Sequence, residues 1–279
     1  CGAQRMGLSE ATEFLDGVYQ VAGNIDQRHG GIQIVMDGGR NWHVRDYTKK
    51  HHQFIFVDTE TVGCDPKEES PVHRAQLYCW SVAYIPDTVV YGLRGQPLAS
   101  RVFFFGKPEG LSREMLEDES IGSGNHQCHY DAHVFRNAGI DYRPRIDSLR
   151  VSRQLNPHWK LHGLERLMYE LLGYKFDIPG AGGKFKKLFS KPKVGKTGKL
   201  LKTTETIPLD QILPFSPLFC RLVDYSTLDT KGGLEVLILL LRQVIAMNSY
   251  RLPEYMFATN KSNSEPGWAK LLRQLVGAS

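Results

Sequence analysis

The sequence predicts a layered α/β domain from three observations. Phe54-Ile55-Phe56-Val57 is a short, wholly apolar run with the composition of a buried central strand, strand-like runs continue to Phe105, and helical spacings dominate from there on. Of the 279 residues, 41% are hydrophobic and 23% charged, which is enough apolar surface for a sizeable core. The 35 basic residues against 30 acidic ones leave a formal charge of +5, a mild pointer to an anionic partner. Five irregularly spaced cysteines exclude a disulfide scaffold, so an intracellular reducing compartment is expected, with Cys64, Cys79, Cys128 and Cys220 as small buried thiols. The run Leu234 to Leu241, bounded by Lys231 and Arg242, is too short to cross a bilayer, and no membrane partner is expected. A chain that opens on Cys1 rather than Met reads as a processed or cut-down product.

Residues 1–50 read as an accessory segment: a weak helix around Leu8 to Leu15, then short strands at Gly17 to Val21, Ile32 to Met36 and Trp42 to Tyr47, separated by Gly30-Gly31 and Asp37-Gly38-Gly39 turns. Neighbours His51 and His52 would point to opposite faces of a strand and belong on the surface. The main domain, 51–250, opens with the strand at Phe54, which ends on Asp58-Thr59-Glu60. Gln76 to Ile85 and Val89 to Leu93 form a hairpin pair about Pro86-Asp87, and Arg101 to Phe105 is a further strand. A helix over Leu111 to Asp118, a strand over Ile121 to Gln127, a helix over Asp131 to Asn137 closed by Gly139, and a return to the sheet at Pro144 to Asp147 follow. Leu161, Leu164, Leu167, Met168, Leu171 and Leu172 recur at helical spacing, with Gly173 as the stop.

Residues 177–206 change character. Lys184, Lys186, Lys187, Lys191, Lys193, Lys196, Lys199 and Lys202 share the stretch with five glycines, and no acid stands between Asp177 and Glu205. A long mobile loop is expected, either a solvated insertion or a nonspecific hand on phosphates. The last large element is a helix over Thr227 to Met247 with Leu234, Leu237, Ile238 and Leu241 as its stripe. Residues 251–279 read as a linker and a short helix over Gly267 to Val276.

The chemistry gathers in three places. Asp58 and Glu60, two apart, leave one face of a strand at its end, and two carboxylates aimed at one point in apolar surroundings need a cation, for which Mg²⁺ or Mn²⁺ suits an oxygen donor set. Asp131 heads a helix, where it serves equally as a first-turn acid. Tyr225 and Asp229 share a face of one continuous helix, where a packed tyrosine and a first-turn charge are the plain structural accounts.

Taken together, Phe56-Val57-Asp58-Thr59-Glu60, the stretch Tyr130-Asp131-Ala132-His133-Val134-Phe135-Arg136-Asn137-Ala138-Gly139-Ile140, and Tyr225-x-x-x-Asp229 resemble the DnaQ-like 3′→5′ exonucleases that carry four acids and a tyrosine, and most of all the proofreading exonuclease domain of family A DNA polymerases. Asp147-Ser148-Leu149, Ser152-Arg153-Gln154-Leu155-Asn156-Pro157 and Leu161-x-x-Leu164 through Gly173 resemble the segment between the second and third motifs, so the likeness spans about residues 53 to 247. It implies a ribonuclease-H-like fold, a central mixed sheet flanked by helices, and two divalent cations, Mg²⁺ or Mn²⁺. Asp58, Glu60 and Asp229 would hold the first ion, Asp58 would bridge to the second, Asp131 would support the second through water, and Tyr225 would orient the attacking water. It implies as substrate DNA 3′ ends, single-stranded or frayed, released as nucleoside 5′-monophosphates, with a DNA polymerase or other replication protein as partner in proofreading.

Substrate contacts fall by the same likeness to Thr59, Asn125, Gln127 and Tyr130, while the charge of the lysine-rich stretch adds Lys184, Lys186, Lys187, Lys191 and Lys193 for phosphates, and Lys160 and His162 beside Trp159 are further points on the strand path. The family usually has Asn where this chain has Gln127; either its longer amide or Asn125, two residues upstream, takes that contact. His126, His129 and His133 are assigned to solvent or substrate contacts, since no matching cysteine spacing makes a zinc site of them. Two other readings stay open: an exonuclease trimming RNA 3′ ends, and a lapsed nucleic-acid-binding or polymerase-scaffold domain.

Overall fold

Six strands make the central sheet of the computed structural model, which describes residues 32–42, 53–63, 71–174, 189–194, 200–214, 216–248 and 267–277. They are β1 (Ile32–Val35), β2 (Phe54–Val62), β3 (Gln76–Tyr84), β4 (Ser100–Phe105), β5 (Gly122–Asn125) and β6 (Ile146–Asp147), in the order β1-β4-β3-β2-β5-β6. β2, β3 and β4 form an antiparallel meander, whereas β1 on β4, β5 on β2 and β6 on β5 run parallel. Around them lie α1 (Leu111–Glu117), α2 (Cys128–Asn137), α3 (Ser148–Leu155), α4 (Leu164–Leu167, prolonged by a π turn through Leu172), α5 (Pro217–Asn248) and α6 (Gly267–Val276). No helix among the described residues is long and apolar enough to cross a membrane.

β2 is buried on both faces because its first residues are apolar without alternation. Phe54 and Phe56 pack with Leu234, Leu237 and Trp268 on one face, and Ile55 and Val57 pack with Trp80, Phe104 and Phe135 on the other. The sheet therefore lies between α5 with α6 and α1 with α2, and the predicted mixed sheet flanked by helices is the architecture observed.

Several expectations are corrected. Val89 to Leu93 is no strand: Gly92 to Gln96 is a tight turn with Leu93 fully exposed at its tip, and β3 pairs instead with β4, whose Val102, Phe103 and Phe104 are buried. β2 runs on to Val62, so Asp58 and Glu60 lie within it rather than at its end. α2 begins at Cys128, and Leu161 is exposed and outside α4. α5 begins at Pro217, so Asp229 sits mid-helix and the first-turn account of its charge fails. The accessory segment supplies β1 to the main sheet, because the apolar Ile32 and Ile34 find partners along β4 and in the cluster around Phe103.

The basic stretch, expected as a loop, contains an antiparallel hairpin, β7 (Ser190–Val194) and β8 (Leu200–Thr206). β-branched Val194, Thr203, Thr204 and Thr206 favour strands, and Pro192 is tolerated because a two-stranded ribbon consists of edges. Cys79 is buried as expected, but Cys128 and Cys220 are only half-buried. The predicted elements at residues 8–21, most of the strand at 42–47, His51, His52, Cys64 and the linker lie outside the described residues.

Candidate active site

The site forms where two strands part. β5 pairs with β2 only along Phe54 to Phe56 and ends at Asn125, while β2 continues to Val62, so the far half of β2 has a free edge on that side. Asn125 closes the top of the gap by donating from Nδ2 to the Val57 carbonyl at 2.7 Å. The first turn of α2 fills the rest. Oδ1 of Asp131 accepts from the Thr59 amide at 3.1 Å and the Thr59 hydroxyl at 2.6 Å, and its Oδ2 accepts from Asn125 Nδ2 at 3.0 Å. The Tyr142 hydroxyl donates to Asn125 Oδ1 at 2.5 Å, and the hydroxyls of Tyr130 and Thr61 share a 2.6 Å hydrogen bond.

Strand alternation sends Asp58 and Glu60 to the opposite face, with Phe56, towards α5. Adjacent glycines let α5 come close. A Cβ at Gly233 would stand 2.2 Å from the Phe56 ring, and one at Gly232 would stand 2.1 Å from Met168. Each mid-helix glycine costs about 1 kcal/mol against alanine, yet only a residue without a Cβ allows this approach, which carries Asp229, one turn earlier, to the carboxylates of β2. The Tyr225 hydroxyl, a further turn back, donates to the Asp229 carboxylate.

Among the described residues, the electrostatics are those of an acid cluster whose members raise one another. Burial, followed by the charges of Asp131, Glu60 and Asp229, raises Asp58 well above the usual carboxylate range. Burial, Asp229 and Asp131 do the same to Glu60. Burial pushes Asp131 up to about 7 against the opposing hydrogen bonds from Thr59 and Asn125. Asp229 also rises to about 7, through burial and the charge of Glu165 on α4, against the bond from Tyr225. Asp58, Glu60 and Asp229 are nonetheless only half-buried, so the carboxylates occupy a recess that water can enter. As placed, no three Asp, Glu, His or Cys side chains among the described residues form a ready-made ion shell, consistent with like charges held apart and with Asp131 turned to Thr59 and Asn125.

A pH dependence follows. Folded pKa values above the unfolded value of about 4 mean that the native state binds the extra protons. Their stabilisation is therefore complete below about pH 4 and is lost as pH rises through about 7, where Asp131 and Asp229 titrate. In EDTA, the melting temperature should be lower at pH 8 than at pH 6; equal values would contradict this mutual repulsion.

Asn125 and Thr59, expected as substrate contacts, are engaged within the site itself. Asn125 is fully buried with its amide committed to Val57, Asp131 and Tyr142, and the Thr59 hydroxyl is committed to Asp131, so both hold the site's own acid. Gln127 is exposed at the head of α2 with φ of 69°, the one non-glycine residue in the left-handed region among the described residues. Asp147, which the sequence did not assign to the site, holds that conformation: its carboxylate accepts from the Gln127, Cys128 and Leu149 amides, tying the starts of α2 and α3 together. Glu165, Tyr142 and the Gly232-Gly233 pair were also missed; only the glycine pair, inside a long apolar helix, carried a sequence signal.

His126 bonds Ser148 at 2.9 Å, and burial lowers it to about 4, so it stays neutral near pH 7. His162 bonds Ser152 at 2.7 Å beside the partly exposed Trp159, and His133 packs against His73. Lys191 and Lys193 lie on β7, whereas Lys184, Lys186 and Lys187 lie outside the described residues.

No family model matches the chain. The architecture is nevertheless a ribonuclease-H-like fold. It is similar to NrnC of Brucella melitensis bound to pGG, with a TM-score of 0.50 over 89% of this chain and 92% of that one at 15% identity. The same protein with bound Mg²⁺ gives a TM-score of 0.49 at 14% identity, covering 88% and 92% of the two chains. In sequence, the chain is 26% identical over 205 residues to the chloroplastic DNA polymerase I A of Oryza sativa subsp. japonica. That match takes in 69% of this chain and spans 20% of the polymerase's length.

Proposed function

We propose that the protein is a metal-dependent 3′→5′ exonuclease that shortens a nucleic-acid strand from its 3′ end. One observation carries the reading: four carboxylates from β2, α2 and α5 stand close enough for their charges to act on one another, and the charged groups that shift Asp58 and Glu60 are all other carboxylates. An all-oxygen, all-acid donor set fits Mg²⁺ or Mn²⁺. Asp58, Glu60, Asp131 and Asp229 are the residues that would hold the ions. Bound there, the ions would lower the pKa of a water molecule and neutralise charge developing on the phosphate.

The chain's own groups do the rest. Burial and the neighbouring acids raise the Tyr225 hydroxyl far above its ordinary value, so it stays protonated and orients by donating a hydrogen bond rather than by taking a proton. Thr59 and Asn125 fix Asp131, and the exposed Gln127 stands at the mouth to meet the terminal nucleotide. Tyr225→Phe should lower kcat about 10- to 100-fold, short of the loss of a full general base, with KM little changed. A loss as deep as that of an acid variant would contradict the orienting role.

Two substrates share this chemistry. Trimming of RNA 3′ ends is supported by the likeness in fold to NrnC bound to pGG, and shortening of DNA 3′ ends, with proofreading beside a polymerase, by the likeness in sequence to the plant polymerase. Matched 5′-labelled DNA and RNA single strands, incubated with Mg²⁺, Mn²⁺ or EDTA, test both. Metal-dependent ladders from the 3′ end, absent with Asp58→Ala, are expected, and the strand that shortens names the substrate. If neither strand shortens in either metal, the proposal fails and a binding or scaffold role takes its place.

A further inference from the structure

We infer that the lysine-rich hairpin β7–β8 is a phosphate-gripping arm that holds the substrate strand outside the catalytic recess, so that it reads strand length rather than the terminal nucleotide. The inference takes from the proposed function only that the substrate is a nucleic-acid strand.

The first support is where the arm is rooted. Both of its ends meet at one point, where the Ile207 amide donates to the Phe189 carbonyl at 2.5 Å. The Phe189 ring is fully buried, in a cluster with Phe103, Phe219 and Leu222. Val62, the last residue of β2, and Tyr225 of the site pack against the same cluster. A hairpin paired from Ser190 opposite Thr206 to Val194 opposite Leu200 therefore projects from a fixed base next to the catalytic acids.

The second support is how the charge is distributed. Eight lysines and no acid occupy the sequence between Asp177 and Glu205. Elsewhere the remaining 27 basic residues face 30 acidic ones, so the net positive charge of the whole chain is owed to this stretch. Lys191 and Lys193 lie on β7 and Lys202 on β8; the other five lie outside the described residues and enter only as sequence charge. A polyanion approaching four clustered carboxylates is repelled. A basic arm rooted beside them offsets that repulsion and needs no base code, since lysines act on phosphates as point charges. Lysines also protect exposed strand edges from pairing with other chains, and that role alone predicts no effect on strand binding.

The test measures binding, which does not depend on turnover. The anisotropy of a fluorescent single-stranded 20-mer is followed in EDTA over a range of KCl concentrations, for the parent, for Lys191→Ala/Lys193→Ala/Lys202→Ala, and for the same three positions changed to Arg. The alanine variant is expected to bind about tenfold or more weakly at 0.1 M salt, with a salt slope shallower by about 2, because each neutralised phosphate of a single strand accounts for ~0.7 of that slope. The arginine variant should keep both. In an active preparation, KM for the 20-mer should rise by more than KM for a dinucleotide. An unchanged affinity and slope in the alanine variant would overturn the inference, as would equal losses in the arginine variant or charge-dependent binding to phosphatidylserine vesicles with strand binding unaffected. If the parent hydrolyses nothing but the salt slopes differ as stated, the arm stands and the exonuclease reading falls.

Discussion

An Asp58→Asn protein is expected to lose metal-dependent hydrolysis by about 10²- to 10³-fold and, in the same preparation, to melt higher than the parent in EDTA at pH 8. The first effect follows from its place in the site. Asp58 is the acid on which Asp131, Glu60 and Asp229 all act, and removing one electrostatic stabiliser of a transition state commonly costs about 10²- to 10³-fold. The second follows from the same neighbours with the sign reversed. In the metal-free protein at pH 8 the cluster either carries its charges against one another or binds protons at a cost, and a neutral amide of the same shape removes one member of that conflict. Added Mg²⁺ should raise the melting temperature of the parent and not that of the variant. Labelled-strand ladders and thermal melts with and without Mg²⁺ measure both effects. A variant that still trims, or that melts below the parent in EDTA, would remove Asp58 from the centre of the cluster.

Trp268→Ala should cost about 3–5 kcal/mol, the range for truncating a buried large aromatic, against a total stability for a domain of about 5–15 kcal/mol. The indole is 1% exposed, its ring centroid lies 6.0 Å from that of Phe54, and it rests on Gly122, where an added Cβ would come within 2.4 Å of it. α6 therefore closes the core cluster beneath the start of β2, the strand that carries Asp58 and Glu60. Urea unfolding should show a lower midpoint at unchanged slope, with kcat in the surviving folded protein within about twofold of the parent at low temperature. A midpoint shift worth under about 1 kcal/mol would mean that α6 is an appendage.

Much of this was legible because it is local. The run Phe54 to Val57 gave away a doubly buried strand by lacking alternation, and the spacing of Leu234, Leu237, Ile238 and Leu241 gave away α5. The bounds of α6 were readable from a short amphipathic pattern, though not its burial in the core. Asp58, Glu60, Asp131, Tyr225 and Asp229 could be proposed together only because their order and spacing resembled a known family; each had a plain structural account when taken singly. The start of α5 was missed because Pro217 to Ser226 shows no clear stripe, its residues dividing between the Phe103 cluster and the site. The pairing of β3 was misread because Val89 to Leu93 has the right composition, and only the competing burial of Val102 to Phe104 shows which run wins the edge.

By itself, then, the sequence determined the inventory and its order: strands before helices, carboxylates at strand and helix spacing, and one stretch of lysines free of acids. These depend on side-chain type and on periods of two and 3.6 residues, which a chain carries with it. Only the tertiary structure decided what those residues do for one another. Asn125 and Thr59 became the supports of Asp131, Gly232 and Gly233 became the reason α5 reaches β2, and Lys191, Lys193 and Lys202 came to lie on a hairpin whose base is buried in a cluster that Tyr225 also packs against. Each of these joins residues far apart in the chain, and such pairings are set by competition for burial and hydrogen-bond partners across the whole fold, to which no local spacing bears witness.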